Sequence, residues 1–525
     1  MALNFFLRSA RVSFDLFMET LGLVYLPQRK RLPPVTNPLL LQSATELVKK
    51  IKSGELRSET LVRAYIFRIK EVNGHINALV GDRFESAIEE AKALDDRIAR
   101  ALRNPSSDNV LELPLLGIPF TIKESIAVEG QPCTAGLYSR KDLRMDTDAP
   151  IVKKLRDAGA IILGVTNIPE FLLWWDTNNR LYGRTNNPYD LSRISGGSSG
   201  GEGALISAGG SLVGLGSDIG GSIRIPSFFC GIFGHKPSSN LITADGHFPY
   251  CGHPEREKYM VIGPMCRYAV DMKLIFKQIV NDQTILKLDE PVDLRQTKFY
   301  FLTSDNDPFK TSPSNDVING IKSVRNFLTE EGYTCIDIQL PLLRKSFFMW
   351  LTSIADVDSP KLGAEVVERN GELNGWLELV KSFTVGSKFR KITCMNVILE
   401  NMVHRKDTRD WKVFRDLIDN CQNLKRQLES ILDDNSILVL PTLPEKPPKH
   451  NGTFLRMNNC GYTAIFNIME CPVTHCTIGL GKDSQMPVGF QMVAKRLNDR
   501  FTLAAAELLS DKFGGWTPPF ETRLC

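Results

Sequence analysis

Apolar residues recur at steps of three and four through 43–53, 57–72 and 84–101, which predicts three helices early in the chain. Ser58, just ahead of the apolar series of the second, is the expected N-cap. The pattern then changes. Residues 118–124 form a short apolar run holding one lysine, Lys123, and 161–166 (IILGVT) form another. Runs of this length predict buried strands, and the helical pattern over 149–159, closed by Gly159, lies between them. Strand, helix and strand at this spacing predict parallel β–α units. Further on, strands are expected at 298–302, 335–338, 437–442 and 489–493, and helices at 269–279, 314–330, 412–432 and 503–513. Residues 343–413 are the least regular. Their aromatic and aliphatic stretches fit a lipophilic pocket and ordinary core packing equally well. There are no internal repeats.

The first 32 residues differ from the rest. Asn4, Arg8, Arg11, Asp15 and Glu19 form one narrow polar stripe on a helix that is otherwise mostly apolar. The apolar run after Glu19 reaches only from Thr20 to Leu26, short of the roughly 20 residues a membrane span needs. Asp15 and Glu19 also interrupt what a cleaved signal peptide would require. The basic cluster Gln28-Arg29-Lys30-Arg31 suits anionic headgroups. A helix lying in the membrane interface is the expectation for 1–32, with packing on the protein's own surface or a partner as the competing one. Pro33-Pro34 ends the segment.

Composition narrows the classes. Of 525 residues, 42% are hydrophobic and 24% charged, as in ordinary globular proteins. A net charge of +4 gives no case for nucleic acid. The 11 scattered cysteines contain no C-x-x-C, and the 7 histidines show no ligand spacing, so neither a disulfide framework nor a metal is expected. No cofactor is implied. Asn451-Gly452-Thr453 fits a glycosylation acceptor, a triplet common by chance.

The stretch 195–237 is dense in glycine and serine, but apolar runs break it and it has no charge runs, so it is not a linker. Gly197-Ser198-Ser199-Gly200-Gly201 satisfies the nucleophile-elbow pattern G-x-S-x-G, yet the preceding residues 187–193 are polar and turn-like where a buried strand is required. Gly214-Leu215-Gly216 begins like a dinucleotide fingerprint, but the third glycine falls one position late. A third reading is a serine nucleophile fed by a lysine.

The whole stretch, about forty residues without a gap, resembles the signature of the amidase signature family. Outside it, Leu116-Gly117-Ile118-Pro119, residues 182–190 (YGRTNNPYD), 231–237 (GIFGHKP), 263–268 (GPMCRY) and 513–516 (FGGW) extend the likeness from Pro33 to Trp516, toward the fatty-acid amide hydrolase branch. The resemblance implies an α/β fold over 33–525: the amidase signature fold, a large mixed twisted sheet sandwiched between helices. It also implies a hydrophobic N-terminal segment that holds the enzyme on an intracellular membrane or lipid droplet, and a homodimer. By the same resemblance Ser222 is the acylated nucleophile, Ser198 a bridging serine preceded by a cis peptide bond, and Lys123 the base. Ile219, Gly220, Gly221 and Ser222 then supply an oxyanion hole, with Ser199, Asp218 and Arg224 in support. The chemistry meets physical need. A serine requires a base, a desolvated lysine becomes one, a hydroxyl both donates and accepts, and a run of N–H groups stabilises developing charge on oxygen. An amidase of short-chain or aromatic amides, a glutamine-hydrolysing amidotransferase subunit and a lipid-binding protein without activity are the alternative expectations.

Overall fold

The structure is a computed structural model that describes Ser13 and residues 32–523, apart from 105–107, 251–252, 358–359, 385 and 404–409. The polar-striped segment 1–32 therefore lies, but for Ser13 and Leu32, outside the described residues.

Thirteen strands are present among the described residues: β1 (Leu79–Asp82), β2 (Pro119–Lys123), β3 (Ile161–Thr166), β4 (Asn178–Asn179), β5 (Gly183–Arg184), β6 (Val213–Asp218), β7 (Phe233–Lys236), β8 (Val261–Cys266), β9 (Lys298–Phe301), β10 (Thr334–Asp337), β11 (Ser436–Leu440), β12 (Val473–Leu480) and β13 (Pro487–Ala494). Eleven form one sheet in the order β1-β3-β2-β6-β8-β7-β12-β13-β11-β9-β10, and β4 and β5 pair separately. The sheet is mixed. β2 lies parallel to β3 and to β6, while β6–β8, β8–β7, β7–β12 and β12–β13 are antiparallel. β2, β3, β6 and β7 are buried along their whole length, as strands covered on both faces must be.

The strand at 161–166 and the helix Ala269–Ile279 fall where periodicity predicts them. The helix expected over 57–72 runs Ser58–Ile76, and that over 503–513 begins earlier, Asp499–Phe513. Two helices carry no periodic signal. Gly200–Ser207 and Arg224–Cys230 are buried at every position and pack against each other beneath the sheet. A helix with no solvent face needs no polar stripe, so amphipathicity cannot reveal it. The nine described cysteines are all unpaired.

One cap differs from expectation. Ser58 is the first residue of its helix, not its N-cap. The orphan donors at this end go instead to Asp95, on the helix Phe84–Arg103. Ser58 N–H donates to its Oδ1 at 2.7 Å and Glu59 N–H to its Oδ2 at 3.1 Å. One carboxylate thus caps a helix from a neighbouring helix, with the anion at the positive end of the dipole. Asp95→Ala is expected to lower the free energy of unfolding by about 1–2 kcal/mol, and Ser58→Ala by clearly less, in urea titrations. Equal losses would return the cap to Ser58.

Candidate active site

Lys123 ends β2, between two parallel neighbours, at the carboxyl ends of strands where open α/β sheets place their crevices. Its side chain is fully buried. The Nζ lies 2.7 Å from Ser198 Oγ, 3.0 Å from Ser217 Oγ and 3.2 Å from the Ser217 carbonyl oxygen. No ion pair to it exists among the described residues. Burial drives its pKa from 10.5 down to about 7, while the charges of Asp218 and Glu202 pull weakly the other way. Glu202 gives little help to the charged amine. Burial raises its own carboxyl to about 8, and it accepts hydrogen bonds from Thr121 Oγ1 (2.7 Å) and Thr166 Oγ1 (2.8 Å).

Burial alone does not single out this lysine, because Lys236 and Lys310 are buried too. Lys310 is paired with Asp305, and Lys236 donates to the Pro237 carbonyl at 2.9 Å. Lys310 also lies 2.7 Å from a serine hydroxyl, that of Ser346, so what distinguishes Lys123 is the combination of a hydroxyl within proton-transfer distance and no carboxylate partner among the described residues.

Ser198 follows a cis Gly197–Ser198 peptide, as the resemblance implies. Gly197 has to be glycine, since a Cβ there would sit 2.7 Å from the Trp174 carbonyl oxygen. Ser199 then opens the buried Gly200–Ser207 helix, and its N–H donates to the Ser222 carbonyl at 3.1 Å. This bond ties the turn carrying Ser198 to the turn carrying Ser222. Ser222 is half-buried, and its hydroxyl forms no hydrogen bond among the described residues. In sites without substrate such contacts commonly tighten only when the complex forms.

The turn from Asp218 to Arg224 is fixed by one buried carboxylate. Asp218 accepts from Gly221 N–H (2.7 Å), Ile223 N–H (3.0 Å), Arg224 Nε (3.1 Å) and Nη2 (2.9 Å), and Asn467 Nδ2 (3.0 Å). Burial would raise this carboxyl, but the Arg224 guanidinium and these donors hold it far below the usual carboxylate range. Arg224 is anchored in turn by Asn467 Oδ1, Gln491 Oε1 and the Thr463 carbonyl. Asp218 and Arg224 therefore form the frame of the turn.

The run expected to supply four oxyanion donors is corrected at Gly221. Its N–H is spent on Asp218, and its φ of +119° and contact with Thr463 exclude a side chain. The Ile219 and Gly220 carbonyls are pulled away from the crevice, to Trp350 Nε1 and Thr463 Oγ1, each at 2.8 Å. The amides of Ile219, Gly220 and Ser222 have no acceptor among the described residues. Trp350, Thr463, Asn467 and His247 escape a sequence reading, being residues without a motif that mostly lie over a hundred residues from the groups they touch. Ser217 lies inside the signature stretch, but nothing in the sequence assigns it a role.

A family model described as Amidase matches residues 60–503. Fatty-acid amide hydrolase 2-B of Danio rerio is 40% identical over 499 residues, covering 93% of each chain. Fatty-acid amide hydrolase 2 of Homo sapiens is 37% identical over 495 residues, covering 93% of this chain and 92% of its own. Among solved structures, a bacterial aryl acylamidase of the amidase signature family superposes with a TM-score of 0.75 at 22% identity, over 91% of this chain and 98% of that one. The fold, the signature and the relatives agree: this chain belongs to the amidase signature family and is an amidase of the fatty-acid amide hydrolase type.

Proposed function

We propose that this amidase hydrolyses fatty-acid amides, N-acylethanolamines and primary fatty amides among them, to free fatty acid and amine through an acyl-enzyme on Ser222. The observation that carries the proposal is the Lys123–Ser198 contact, made by an amine whose burial favours its uncharged form. In this reading Lys123 takes the Ser198 proton as Ser198 takes that of Ser222. The Ser222 oxygen attacks the amide carbon, and the oxyanion accepts from the Ile219, Gly220 and Ser222 amides. Ser198 then protonates the leaving nitrogen, the C–N bond breaks, and Lys123 returns its proton to Ser198. Water enters where the amine left. The same base deprotonates it, and the acid departs as Ser222 regains its proton. The names of the relatives support the substrate class.

Membrane association is part of the proposal. No helix among the described residues is long and apolar enough to cross a bilayer. The helices Gly375–Lys381 and Lys391–Val403 pack together and, with the turn beyond the first, leave Trp376 (65% exposed), Phe383 (69%) and Met402 (60%) in solvent, with Lys391 Nζ 3.7 Å over the Phe383 ring. Aromatic and aliphatic groups edged by a lysine suit an interface between headgroups and acyl chains. Segment 1–32 is proposed to add to the same attachment.

With purified protein and a long-chain acyl amide, Ser222→Ala and Lys123→Ala should each lose at least about 10³-fold in kcat/KM. The wild-type value should rise with pH through about 7, because only the uncharged Lys123 can accept a proton. Undiminished turnover in Ser222→Ala would discard the assignment, and preference for the shortest acyl groups would favour a short-chain amidase. Separately, Trp376→Glu with Phe383→Glu should weaken sedimentation with phosphatidylcholine vesicles by roughly fivefold or more. Unchanged sedimentation would remove this surface from the attachment.

A further inference from the structure

His247 reaches Lys123 through a shared partner, Ser217, whose hydroxyl contacts both side chains. It reaches the site from a loop whose backbone is stitched to the end of β2: Phe248 N–H donates to the Ser125 carbonyl at 2.8 Å, and Ala127 N–H to that of Gly246 at 2.9 Å. Its Nδ1 lies 3.1 Å from the Pro249 carbonyl oxygen. Its Nε2 lies 2.9 Å from Ser217 Oγ and 3.2 Å from Ser125 Oγ. The titratable groups around this cluster are Lys123 itself and, beyond it, Asp218 and Glu202. Burial and the neighbouring amine hold the imidazole neutral, with a pKa near 3.

The direction of each hydrogen bond follows from these contacts. A carbonyl can only accept, so Nδ1 carries the imidazole's single proton and Nε2 is a bare acceptor. The nearer hydroxyl, that of Ser217, therefore donates to Nε2. Its oxygen is then free to accept from Lys123 Nζ, which also donates to the Ser217 carbonyl. A neutral amine has two N–H bonds and one lone pair. With both N–H bonds directed to Ser217, the lone pair is left for Ser198 Oγ at 2.7 Å.

We infer that His247 is a positioning residue for the amidase reaction: by accepting the Ser217 hydroxyl proton, it keeps that hydroxyl from capping the Lys123 lone pair and so aims the base at Ser198. Without an acceptor at Nε2, the Ser217 hydroxyl turns round and donates to Lys123, competing with Ser198 for the one pair that does the chemistry. This inference rests on Lys123 acting through Ser198, as proposed above.

The test is a double-mutant cycle on the purified full chain with a long-chain acyl amide. His247→Leu should lower kcat by about 30-fold, part of the roughly 10²–10⁴ a positioned base supplies, with KM within about twofold. His247→Gln, which keeps an acceptor oxygen within reach of Ser217, should stay within about threefold of wild type. In a Ser217→Ala background His247→Leu should cost nothing further, since no hydroxyl remains to misdirect. A role in packing alone predicts equal losses in both backgrounds and no rescue by glutamine, and either result overturns the inference. Should the leucine variant not fold, 15N spectra of histidine-labelled wild-type protein decide, with the His247 signals identified by their loss in His247→Gln. Protonation at Nδ1 is expected near neutral pH, and protonation at Nε2 overturns the inference. Failure of the Ser222 reading looks different, because Ser222→Ala would then stay active whatever His247 does.

Discussion

The site depends on one constraint: an amine kept out of water with no carboxylate, among the described residues, to pair with it. Desolvation penalises the ammonium form of Lys123, and the hydrogen-bonding groups within reach of its Nζ are the hydroxyls of Ser198 and Ser217 and the Ser217 carbonyl. The arrangement costs stability. Between its folded value of about 7 and its unfolded value of 10.5, the unfolded chain binds a proton that the folded chain does not, so stability falls as pH falls through that window. A sheet whose strands β2, β3 and β6 are buried along their whole length supplies the enclosure, and the fold retains an unfavourable group where the proposed chemistry needs it.

A second device holds the acceptor side. The buried Asp218–Arg224 pair, 2.9 Å apart, gathers the backbone of the Ser222 turn, and Asn467 and Thr463 on the helix Gly461–Ile468 tie that turn to the far half of the sheet. Buried pairs of this kind add little net stability, while loss of one partner leaves an unpaired charge. Their value here is geometric, for they decide which amides face the crevice. Gly221 N–H is taken up in the frame, and three amides remain for the oxyanion of the proposed reaction.

Much of this was legible in the chain, for identifiable reasons. Lys123 stood out because a charge within a short apolar run conflicts with ordinary burial, and residues 161–166 because a six-residue apolar run leaves little room for a helix. The signature stretch located the two serine turns, but not the helices Gly200–Ser207 and Arg224–Cys230 that carry them, since neither has a solvent face to set a period. Asp95 replaced Ser58 as a cap, and Trp350 and Thr463 set the carbonyl directions of the Ile219–Gly220 turn, through contacts that join distant parts of the chain. Local pattern holds no record of such pairings. His247 is the extreme case: an unremarkable histidine in a loop whose meaning lies wholly in which of its nitrogens meets a carbonyl.

The most direct measurement is the rate at which a fluorophosphonate labels Ser222 from about pH 5 to 9, in wild type and in Lys123→Ala. An uncharged Lys123 acting as base predicts a rate that climbs through a midpoint near 7, with slow labelling of the variant that shows no such midpoint. A wild-type rate that is flat across that range, or a variant labelled as fast as wild type, would contradict the account.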